Sequence, residues 1–113
     1  MKAIINGITS GPLQLAKGGN ESLNVLVFED NGDAINITGG SIDVVVYDRS
    51  DRANAAKATH SGDTLTTPLA GFATVAIDDS ELTYGPGEYY AFIRYTSSGA
   101  NIFFSQPYTL IVR

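Results

Sequence analysis

The chain has 113 residues, with 12 Asp and Glu against 7 Lys and Arg and one His, giving a formal net charge of −5 and a pI of about 4.5. That length predicts one domain, and 43% hydrophobic against 17% charged residues is too apolar for a disordered tail and too interrupted for a membrane span. The absence of Cys excludes disulfides and thiolate metal sites, one His confines any histidine-base catalysis to His60, and the scattered cations disfavour a phosphate backbone, so neither nucleic acid nor a membrane is an expected partner.

The opening stretch Ala3-Ile4-Ile5 is halted by Asn6-Gly7, too soon for a secretory apolar core, so no export signal is expected. The lack of Cys fits a protein made in the cytosol. Ile4, Ile5 and Ile8 make residues 1–11 apolar enough for two readings: an extended arm added to a neighbour's sheet edge, or the first edge strand of the chain's own fold. Residues 12–113 then form a single domain.

From there, Gly and Pro cut the chain into short apolar runs that suit strands better than helices. An early strand is expected around Pro12–Ala16, and Gly18-Gly19 reads as a corner. In 23–29, Leu23, Val25 and Val27 share one face while Leu26 and Phe28 share the other, which predicts cover on both sides near the strand's end. Asp30-Asn31-Gly32-Asp33 predicts a sharp reversal, and 41–47 alternates cleanly, with Ile42, Val44 and Val46 in phase.

Residues 48–57 lack an apolar face and read as an exposed loop carrying Arg49 and Arg52, with one helical turn over 52–56. Short extended pieces at 58–60 and 64–66 flank a Ser61-Gly62-Asp63 turn, a strand follows over 71–77, and 78–82 suggests a capped helical turn. Gly85-Pro86-Gly87 makes a corner into a long strand, 88–96, that places Tyr89, Ala91, Ile93 and Tyr95 opposite Glu88, Tyr90, Phe92 and Arg94. A hairpin loop over 97–101 leads to Ile102-Phe103-Phe104, and Pro107, which lacks a donor, should mark a bulge or an edge before 108–112. The sum is all-β: an antiparallel sandwich of about seven or eight strands.

The stretch Leu82-Thr83-Tyr84-Gly85-Pro86-Gly87-Glu88-Tyr89-Tyr90-Ala91 resembles the turn into strand F of immunoglobulin-like domains. The resemblance implies that the Tyr89 hydroxyl bonds back to the preceding corner and that Ala91 stands where antibody domains have Cys. Lacking Cys and Trp, the chain matches the general immunoglobulin-like sandwich.

From Leu13 to Arg113, the order of Glu-Asp-Asn-Gly-Asp-Ala, Ile-Asn-Ile-Thr-Gly-Gly, Ile-Asp-Val-Val-Val-Tyr, Gly-Phe-Ala-Thr-Val-Ala-Ile, Leu-x-x-Gly-Pro-Gly-x-Tyr and Tyr-Thr-Leu-Ile-Val-Arg is similar to immunoglobulin-like domains of tailed-bacteriophage virion proteins. That similarity implies a non-catalytic virion protein, made in the host cytoplasm, that decorates or cements the outer capsid surface. The alternatives are a tail or baseplate accessory and a carbohydrate- or receptor-binding module. Expected partners are the major capsid protein, other virion proteins or further copies of the chain.

The remaining chemistry reads as structural. Asp30, Asn31 and Asp33, and likewise Asp78, Asp79 and Glu81, lack the full oxygen-ligand loop of a calcium site and read as turn and cap residues, so no metal or other cofactor is expected. Adjacent Asp78 and Asp79 diverge on an extended chain and make a poor glycosidase pair, and His60 beside Ser61 and Asp63 reads as a surface or strand-end residue. No catalytic residue is therefore expected. The candidate interface residues are Ile4, Ile5, Ile8, Arg49, Arg52, Tyr90, Phe92 and Phe103; of the aromatic pairs, Tyr90 with Phe92, or one of Phe103 and Phe104, marks a contact surface if exposed.

Overall fold

In the computed structural model, which describes residues 1–9, 11–16, 20–77 and 84–113, the chain is a two-sheet β-sandwich. The strands are β1 (Lys2–Ile5), β2 (Leu13–Leu15), β3 (Glu21–Phe28), β4 (Ser41–Tyr47), β5 (Ala58–His60), β6 (Gly62–Thr67), β7 (Phe72–Ile77), β8 (Gly87–Thr96), β9 (Ile102–Phe104) and β10 (Tyr108–Val112). One sheet runs β1-β3-β7-β6 and the other β2-β10-β8-β4-β5, with β9 also paired to β8. The first order corresponds to the A-B-E-D sheet of immunoglobulin-like domains, and β10-β8-β4 to their G-F-C sheet.

Alternation builds the core. Val25 and Val27 of one sheet face Ile42, Val44, Val46, Ala91 and Ile93 of the other, all buried in one cluster. The expected two faces of 41–47 and 88–96 are those observed.

Ten strands stand among the described residues in place of seven or eight, for two physical reasons. Pro107 divides the last extended segment into β9 and β10, and at the break Ser105 substitutes for a strand residue: its N–H donates to the Ile93 carbonyl at 2.9 Å and its hydroxyl accepts the Ile93 N–H at 2.9 Å. In addition, residues 2–5 form β1, antiparallel to β3 within the chain's own sheet. The sandwich is also not wholly antiparallel. After β1 the chain crosses to the other sheet, where β2 lies parallel to β10, Leu13 opposite Leu110.

Asn6-Gly7 is more than a stop to an apolar run. Positive φ values of 52° and 77° make the pair a tight reversal that pairs Ile5 with Ile8 through bonds of 2.8 and 3.1 Å. The 30–33 reversal forms as expected, with the Asn31 side-chain oxygen accepting the Asp33 N–H at 3.0 Å.

Two local expectations are corrected. No helical turn forms over 52–56, because Arg52 takes φ 57°, outside helical space, and the loop is fastened instead by Asp51 accepting the Ala53 N–H at 3.1 Å. His60 ends a strand but is fully buried, with Nε2 3.2 Å from the Tyr84 hydroxyl. The Gly18-Gly19 corner and the capped turn over 78–82 lie outside the described residues. No helix among those described is long and apolar enough to cross a membrane.

The corner before β8 is built as its resemblance implied. The Tyr89 hydroxyl donates to the Tyr84 and Gly85 carbonyls at 2.5 and 3.1 Å, and Gly85 and Gly87 take positive φ values. Exposed Pro86 lies between them. Replacing Tyr89 with Phe removes only this clasp, and a loss of about 1–2 kcal/mol in urea unfolding is the expected result.

Candidate functional site

The candidate interface residues fall into three regions. At the N-terminal edge Ile5 turns into the core with no exposed surface, Ile4 lies half-buried on the opposite face, and Ile8 remains exposed. Ile5 is thus withdrawn from any interface by strand alternation. The edge of β1 is closed too. The Gln106 side chain accepts the Ala3 N–H at 3.1 Å and donates to the Ala3 carbonyl at 2.7 Å, presenting to β1 the donor and acceptor that a neighbouring strand's peptide group would offer. The hydroxyl of buried Tyr108 lies 2.6 Å from the same carbonyl and 2.7 Å from that of Ile8, and burial pushes its pKa up. With Ile8 pairing Ile5, these groups occupy the positions an incoming strand would need.

The second region is the outer face of the β4–β8 sheet. Phe92, expected as surface, is 2% exposed, because the Arg52 guanidinium lies over it at 5.1 Å and over Phe104 at 3.8 Å. Tyr47 and Phe104 close its edges at ring distances of 5.7 and 6.3 Å. The pair Tyr90 and Phe92 is therefore not an exposed patch: Tyr90 is half-buried beside a polar hollow shared with Asp48, Arg49, Ser50 and Asp51. Arg49 donates two bonds of 3.0 Å to Asp51. That guanidinium, with the Ala53 N–H, lowers the Asp51 carboxyl to about 2, and Asp51 in turn raises Arg49. Arg52 and Phe92 are thus brought together, but as a cover and its floor.

The third region is the β8–β9 hairpin. Ile102 is 58% and Phe103 46% exposed. Phe103 stacks on Tyr95 at 5.9 Å, and the two rings line a hollow of about 240 Å³ shared with Met1, Glu29, Ile35, Ser97 and Asn101. Ile102 was not singled out from sequence, although it directly precedes Phe103 in a three-residue strand too short to bury both.

A further apolar surface escaped the sequence reading. Leu26 and Phe28, expected to be covered, sit half-buried on the outer face of the β1-β3-β7-β6 sheet. Ile4 pairs across to Leu26 and Leu26 to Phe72, so three apolar side chains form a row over β1, β3 and β7. Ile4, Leu26 and Phe28 line a shallow hollow with Gly32 and Ala34.

No family model matches the chain, and no curated protein matches it. Among solved structures it is similar to murine CRIg, at 9% identity over 100% of this chain and 99% of that one with a TM-score of 0.40. It is also similar to AggA, the major subunit of aggregative adherence fimbriae type I from Escherichia coli, at 16% identity over 100% and 97% with a TM-score of 0.34. Likenesses this distant carry no functional weight, and the fold rests on its own strand order and register.

Proposed function

We propose that the chain is a non-catalytic bacteriophage virion protein that decorates the outer capsid surface, holding the major capsid protein through its β8–β9 hairpin. The observation that carries this reading is the exposure of Ile102 and Phe103 at 58% and 46%, consecutive residues that place one apolar side chain on each face of the β8–β9 hairpin. The order of the sequence segments from Leu13 to Arg113, which resembles that of virion immunoglobulin-like domains, supports the same reading. Binding of this kind needs no reactive group, only weak contacts repeated over many capsid copies.

Co-sedimentation of the purified chain with capsids and, separately, with tails tests it. Saturable binding to capsids is expected, weakened about tenfold or more by Phe103→Ser with Ile102→Ser. Binding to tails alone assigns the chain to the tail or baseplate, and binding to neither overturns the proposal. A second reading, glycan binding, has one observation in its favour: Phe103 and Tyr95 line their hollow beside Asn101, Ser97 and Glu29, an aromatic platform with polar neighbours. A glycan array distinguishes it.

A further inference from the structure

We propose that the outer face of the β1-β3-β7-β6 sheet docks a second copy of this chain, face to face, in a weak reversible dimer. This inference is independent of capsid binding and uses a different surface.

Charge is the first argument. The chain carries a net −5, so two copies repel wherever carboxylates face one another. Alternation places Ile4, Leu26, Phe28 and Phe72 on this face, among Ser, Asn, Thr and Ala, and its strands contribute no carboxylate to it; Lys2 is the single charged strand residue there among the described residues. Glu21 and Asp63 pair with Ile77 and Val75 and so belong to the inward-facing set. The strands of this face offer a basic partner no carboxylate to pair with, and copies of an acidic chain meet like charges only at its rim, where the 29–33 turn carries Glu29, Asp30 and Asp33.

The closed edge is the second argument. Gln106, Tyr108 and Ile8 occupy the outward polar groups of β1, which disfavours pairing of two copies through that edge.

The third is size. Four strands at about 4.8 Å and six residues at about 3.3 Å give a footprint of roughly 400 Å², below the usual ~800 Å² of accessible surface per partner in a stable complex. The dimer is therefore expected to be weak and to form where copies are concentrated.

Sedimentation of the full chain from about 10 µM to about 1 mM tests this. The mass should rise toward twice that of the monomer. Phe72→Ser, at a side chain already 43% exposed, and Leu26→Thr should each weaken association about tenfold, while Phe103→Ser leaves it unchanged. Added salt should strengthen it by screening the net repulsion. Circular dichroism and melting confirm folding, and should Leu26→Thr fail to fold, the exposed Phe72→Ser decides. A monomeric mass throughout, a dimer indifferent to Phe72→Ser, or a dimer that salt dissolves overturns the proposal. So does a chain that stays monomeric and loses capsid binding on Phe72→Ser, which gives the face to the capsid; loss of capsid binding only with Phe103→Ser leaves the two surfaces separate.

Discussion

Deleting residues 1–9 should unfold the domain or lower its melting temperature by more than about 15 °C, a far larger effect than the loss of a surface contact. Buried Ile5 and Ala3 leave the core, forfeiting about 2–4 kcal/mol of burial and packing. Val25 and Val27 lose the strand that pairs with them. Gln106 and buried Tyr108 lose the Ala3 carbonyl, each at about 1–3 kcal/mol where a polar group stays shielded from water. The total approaches the whole stability of an ordinary domain, about 5–15 kcal/mol. Thermal melts by circular dichroism read the result, and a synthetic peptide of residues 1–9 added in excess should restore part of the lost signal. A truncated chain that melts like the intact one would show that β1 contributes little.

Asp43→Ala is expected to destabilise by about 2–4 kcal/mol although Asp43 faces outward from the sandwich. The residue is 6% exposed, and its carboxylate accepts Arg94 Nε and Nη2 at 3.1 and 2.8 Å, directly across strands β4 and β8. Alone, the guanidinium keeps its desolvation without its partner, and its partial exposure places the cost below that of a fully buried pair. Replacing both residues by Val should recover most of the loss, since β-branched pairs suit a crowded sheet face beside Val45 and Phe92. Urea midpoints of the two single variants and the double variant measure the coupling. Additive effects would mean the ion pair is energetically silent.

The strands were legible because their apolar residues alternate at period two, and the corner because Gly85, Pro86 and Tyr89 act within a few residues of one another. Surface exposure was less legible. Phe92 and Phe103 carry the same ring on neighbouring strands, yet one lies under Arg52 and the other is open. The difference is set by where the 48–57 loop folds back, which no local pattern encodes. Leu26 and Phe28 failed in the opposite sense, since alternation assigns a side chain to a face but cannot say whether another layer covers that face. Asn6-Gly7 carried an unused signal: the pair favours the positive φ values of a tight reversal. The role of Gln106 had none, its partner Ala3 lying 103 positions away.

That separation orders events in time. While the chain is being synthesised, β1 can meet β3 after some thirty residues, but the amide and hydroxyl that close its outer edge are made nearly eighty residues later. During that interval the nascent sheet offers an unguarded edge to other nascent chains, so polysome crowding, more than heat, is the condition under which this fold is most exposed to misassembly.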